Sequence, residues 1–100
     1  MIKLNAGNVL LKPSHRKQLL AWLRRAVRLG RRLGHYAIRI DLQRSGRLIQ
    51  MTAGVSTDHG VAAFRAREHD WRDAAHDIIR RLTTHLHDVM LHNMPARLAH

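Results

Sequence analysis

Between residues 36 and 55, apolar side chains fall on every second position. Tyr36, Ile38, Ile40 and Leu42 form one set; Ile49, Met51, Ala53 and Val55 form the next. A period of two puts each set on one face of a strand. The polar residues between them, Arg39, Asp41 and Gln43, require the opposite face to meet water. Arg44-Ser45-Gly46-Arg47 separates the two runs and has the composition of a hairpin connection. The pattern predicts strands over 35–43 and 49–55. A chain with such a hairpin must bury one sheet face, so it needs other elements to cover it.

Two stretches with a helical period supply the cover. In His15 to Leu33, Leu19, Leu20, Leu23, Ala26, Val27 and Gly30 share one face. Ser14 is the expected N-cap and Gly34 the expected terminator. The second stretch opens at Asp70, a good N-cap. It carries Trp71, Ala74, Ala75, Ile78, Leu82, Leu86 and Val89 on one stripe, widened by Ile79 and Met90, and ends by Pro95. Ile2 to Ala6 alternates as a short strand, and Gly7-Asn8 is turn chemistry. After a turn at Thr57-Asp58-His59-Gly60, Val61 to Arg67 alternates again, as a fourth strand paired with the third.

The expected class is α+β. The element order is β-α-β-β-β-α, with one four-stranded sheet and two helices packed on one of its faces. The first crossover makes the first two strands parallel and right-handedly connected. Length allows a single domain, residues 1–100, with an ordered core over about 2–92.

Charge narrows the function. There are 18 Lys+Arg against 7 Asp+Glu, a net charge of +11. The isoelectric point, near 11.8, is well above the value of roughly 9 that marks a nucleic-acid footprint. Most of the excess is Arg, whose planar fork suits phosphate. An apolar content of 45% sets the chain apart from a disordered basic tail. The first helical stretch contains no acidic residue, so its arc of Arg24, Arg25, Arg28, Arg31 and Arg32 repels itself unless a partner neutralises it. Arg44 and Arg47 add two cations at the hairpin. Arg80 and Arg81 lie mid-way along the last helix, where at least one should face away from the stripe. With both helices on one sheet face, their outer surfaces lie side by side and their cations would form a continuous basic ridge, the groove between helices tracking a phosphate backbone. These nine arginines are the candidate RNA-binding residues.

Other chemistries find little support. There is no cysteine, so disulfides and thiolate metal sites are excluded, and a reducing cytoplasm fits. Nine histidines invite a metal reading, but His85 and His87 point to different faces and no His-Glu-x-x-His pattern occurs. They are read as surface groups that add positive charge at mildly acid pH. Asp73 and Asp77 could share a helix face, but Arg80 and Arg81 lie one turn beyond Asp77, the spacing of ordinary ion pairs. Ser14, Ser45 and Ser56 lack a nucleophile-elbow setting. No catalytic residue, metal, cofactor or small-molecule substrate is expected. No signal peptide or membrane-spanning run is read. Trp71 lies on the apolar stripe and belongs to the core; Trp22 lies beside the first helix's stripe, half exposed. Aromatics are 4% of the chain, too few for base stacking to be the main mode.

The pattern resembles the bacterial ribosome hibernation promoting factor and ribosome-associated inhibitor family. Lys3-Leu4-Asn5-Ala6-Gly7-Asn8 looks like that family's first strand and Gly-Asn turn, and Ser14 sits where the family caps its first helix. The segment from Gly60 to Leu86 carries the strongest likeness. There a strand leads into an acidic turn with Glu68 and Asp70, then a helix with Ala74, Ala75, Ile78, Ile79, Leu82 and Leu86. It resembles the family's D-x-x-A-I-D-x-x-x-D-K-L-x-x-Q-L stretch, with Arg80-Arg81-Leu82 for Asp-Lys-Leu and His85-Leu86 for Gln-Leu. Arg72 replaces the usual aromatic residue, and the chain is more basic and His-rich than typical members. The resemblance spans about residues 2 to 92. It implies a fold similar to a double-stranded RNA-binding domain and a cytoplasmic factor of the short type. Such a factor binds the small ribosomal subunit and its ribosomal RNA in the messenger/transfer RNA channel and inhibits translation when growth stops. The alternatives are a general double-stranded RNA-binding module and a protein-interaction module using its open sheet face.

Overall fold

The alternating segments pair as their periodicity requires. In the computed structural model, which describes residues 2–28, 36–58 and 60–92, β1 (Ile2–Asn5), β2 (Tyr36–Ser45), β3 (Leu48–Thr57) and β4 (Gly60–Glu68) form one sheet in the order β1-β2-β3-β4. β1 runs parallel to β2; the other neighbours are antiparallel. Register places Ile38 opposite Val55, Ile40 opposite Ala53 and Leu42 opposite Met51. All six are buried on one face.

The helices α1 (Pro13–Ala26) and α2 (Trp71–His92) cover that face. Leu19, Leu23 and Val27 of the first chain segment meet Ala74, Ala75, Ile78, Leu82 and Leu86 of α2 in one core. The expected α+β class and element order are therefore observed. Both helices run the same way. His15 lies 5.3 Å from Trp71 at their N-terminal ends, and Trp22 lies 4.8 Å from His76 further along.

Several boundaries differ from the expected ones, and three of the differences bear on the cations. The N-cap of α1 is Lys12, not Ser14, and no side chain caps the helix. Pro13 explains the shift: its missing N–H and fixed φ suit the first helical position, and the Arg16 amide already reaches the Lys12 carbonyl at 3.0 Å. The α-helix ends at Ala26, where the Val27 amide turns back to carbonyls of the last turn. Gly30, Arg31, Arg32, Gly34 and Pro95 lie outside the described residues. Third, β2 and β3 stay paired as far as Ser45 and Leu48, which leaves Gly46-Arg47 as a two-residue turn with Gly46 at φ +61°. Asp70 does cap α2, accepting from the Arg72 amide at 3.4 Å.

Each sheet edge is tied to a helix by an arginine. Arg16 of α1 donates to the Leu4 carbonyl of β1 at 3.1 Å. Arg81 of α2 donates to the Arg65 carbonyl of β4 at 2.9 Å. Unpaired edge carbonyls invite pairing with another chain, and these contacts occupy one on each side.

Candidate nucleic-acid interface

The end of α1 concentrates the cations. The apolar positions Leu19, Leu23 and Val27 fix which side of the segment faces the sheet, so Arg24, Arg25 and Arg28 are exposed. None of the three has an ion pair among the described residues. Arg24 and Arg25 occupy the last turn of the helix, where the carbonyl end of the macrodipole favours positive charge.

A groove of about 470 Å³ runs between the helices, lined by Trp22, Arg25, Ala26, His76, Ile79 and Thr83. Trp22 and His76 of its lining meet at 4.8 Å, and beneath the groove Trp22 stacks on the buried Trp71 at 5.8 Å. Trp71 thus belongs to the core and Trp22 is half exposed, as their places on the two helical periods predict. Arg72 sits 4.8 Å over the Trp71 ring and bonds the His15 ring at 3.1 Å. Where an aromatic residue was expected by resemblance, a cation packs on an aromatic neighbour.

Arg80 and Arg81 take the other flank of α2. They line a second groove of about 430 Å³ with Phe64, Thr84, His85 and Asp88, toward β4. Both bind Asp77, at 2.6 and 3.1 Å, the one-turn ion pairing anticipated from their spacing. With Ile78 and Leu82 buried, steps of about 100° per residue carry Ile79 and Thr83 toward α1 and Arg81 toward β4. The expected single ridge is therefore divided by α2 itself. The hairpin cations are further removed. Arg44 is a strand residue whose backbone is held by the Asn8 side chain, at 2.7 and 3.2 Å; Arg47 is exposed at the turn. Because α1 runs back against β1, the turn and the Arg24–Arg28 cluster sit at opposite ends of the domain.

Four further cations stand together outside that candidate set. Lys3, Arg39, Arg65 and Arg67 are exposed on the sheet face away from the helices. Their signal was available: each stands at a polar position of an alternating strand, and pairing brings those positions together. Among the described residues no three His, Asp or Glu side chains gather to hold a metal ion. No described helix is long and apolar enough to cross a membrane.

No model of a known protein family matches the sequence, and neither does any curated protein. Solved structures do match in three dimensions. The N-terminal domain of Thermus thermophilus Protein Y aligns with a TM-score of 0.73 and 20% identity, over 84% of this chain and 91% of that one. A ribosomal subunit interface protein from Coxiella burnetii aligns with a TM-score of 0.77 and 18% identity, over 90% of this chain and 97% of that one. The chain is thus similar in fold, along nearly its whole described length, to both of these proteins.

Proposed function

We propose that the protein is a cytoplasmic ribosome-associated factor. It binds the ribosomal RNA of the small subunit in the messenger/transfer RNA channel and inhibits translation by occupying it. The observation that carries this reading is the unpaired cluster Arg24, Arg25 and Arg28, set on a scaffold similar to that of a ribosomal subunit interface protein. Guanidinium groups without carboxylate partners are free to make forked contacts to phosphate. Arg31 and Arg32, next in sequence, would extend the same cluster. Arg47 reaches RNA from the opposite end of the domain together with Arg44. Arg80 and Arg81 contribute from the far flank of α2, sharing their charge with Asp77. The domain itself supplies bulk and charge and performs no reaction.

Cosedimentation with purified small subunits, at low and at moderate salt, tests the proposal. Binding at low salt that weakens as salt rises is expected, because neutralising Z phosphates gives a log–log slope of roughly −0.7Z to −0.9Z. Absence of association at low salt would refute it. Competition with random RNA duplex separates a dedicated ribosome factor, which excess duplex fails to draw off the small subunits, from a general duplex binder, which it does.

A further inference from the structure

The face of the sheet opposite the helices is charged as well. Lys3 of β1, Arg39 of β2, and Arg65 and Arg67 of β4 all stand on it, exposed. One described carboxylate shares the face. It is Asp41, which pairs with Arg39 at 3.0 Å. Arg67 donates to Gln50 at 3.0 Å, a neutral partner that leaves its charge uncompensated. Lys3 and Arg65 have no side-chain partner among the described residues. Lys3 and Arg39 are also direct neighbours in the β1–β2 register, and like charges so placed repel. The fold holds them together, and among the described residues Lys3 has no ion pair.

Beside these cations the surface is low. The Lys3–Arg39 row continues across the sheet through Gly54 and Ala63, and a methyl group at Gly54 would meet nothing within 4 Å. A shallow trough of about 370 Å³ results, with Lys3 and Arg39 on one side and Val61, 80% exposed, on the other. Among the described residues no aromatic side chain lines the trough to anchor a protein partner. A polyanionic backbone needs only donors, positive charge and room to approach.

We propose that this open face is a second RNA-binding surface, holding a phosphodiester backbone against the sheet while the helical layer holds another part of the RNA. The inference rests on the RNA-binding reading of the helical layer in that both require RNA as partner. It adds that the domain binds on two opposite faces and therefore lies between RNA segments instead of against one.

Salt titrations of binding to purified small subunits and to a labelled RNA duplex test it, using wild type, Lys3→Gln with Arg65→Gln, Arg24→Gln with Arg25→Gln, and the combination of all four. On small subunits each pair of substitutions should reduce the slope by about 1.4 to 1.8, and the four together by about twice that. Ser56→Glu, which places a carboxylate on the same open face at an exposed position, should weaken binding without touching any existing cation. Unchanged circular dichroism and unfolding midpoints confirm that the variants fold. If the sheet-face pair and Ser56→Glu bind like wild type at every salt concentration while the helix pair is weakened, the second surface is wrong and the helical one stands. If wild type binds no RNA, both readings fall together.

Discussion

At the residue scale, single positions carry distinct duties that composition conceals. Gly7 has φ +56°, and a methyl group there would lie 2.4 Å from the Leu42 carbonyl oxygen. The turn after β1 is pressed against the end of β2, and both the backbone conformation and the space require glycine. Gly7→Ala should destabilise the domain by more than about 1 kcal/mol. Gly54→Ala, at ordinary φ and in open space, should change stability by less than about 1 kcal/mol. Urea unfolding of the two variants checks the contrast. Arg81 shows the same division among cations. It holds the β4 edge through the Arg65 carbonyl and shares Asp77 with Arg80. Arg81→Ala should cost about 1 kcal/mol of stability, whereas Arg24→Ala, without such ties, should stay within roughly 0.5 kcal/mol. Thermal unfolding of both distinguishes a structural arginine from one left free for a partner.

At the element scale, α2 does most of the covering. Its stripe from Trp71 to Leu86 packs over β3 and β4, and Ile78 and Leu82 are fully buried. Ile78→Ala should therefore destabilise by about 2–5 kcal/mol, read as a lower denaturant midpoint with an unchanged slope. The connection from β1 to α1 buries Val9 in the core and is tied down by polar contacts as well. Asn8 uses both ends of its side-chain amide on the Arg44 backbone, at 2.7 and 3.2 Å, as a paired strand residue would. Asn8→Ala should cost about 1–2 kcal/mol, and amide exchange at Arg44 should speed up, since its N–H loses its acceptor.

At the scale of the whole molecule the net charge is +11, and the described cations are spread over two faces and both ends of the domain. Only part of it is balanced: among the described residues the ion pairs engage Arg39, Arg80 and Arg81. Such a surface repels itself, and added salt screens that repulsion. Moderate salt should thus raise the unfolding temperature of the free domain by a few degrees while weakening its binding to RNA. Calorimetry of the free protein and binding titrations across the same salt series would show opposite trends. Parallel trends would mean that the charge is already compensated within the fold.

The division of labour between chain and fold follows from the range of the interactions. Alternation in Tyr36–Leu42 and Ile49–Val55, and the helical stripes of Leu19–Val27 and Trp71–Leu86, are properties of neighbouring residues. They determined the element order, the α+β class, the buried set and the exposure of Arg24, Arg25 and Arg28. Where a local rule competed with a stronger one, the boundary moved: Pro13 took the helix start that Ser14 would have capped, and ladder pairing drew Arg44 and Ser45 into β2. Relations between elements were decided by tertiary structure alone. Parallel helices packed over a shared core turned Arg80 and Arg81 away from α1 and toward Asp77 and β4. Strand register gathered Lys3, Arg39, Arg65 and Arg67, up to 64 residues apart in the sequence, on one open face. Periodicity says which side of its own element a residue occupies; only the long-range pairing and packing of elements says which other charges it will stand beside.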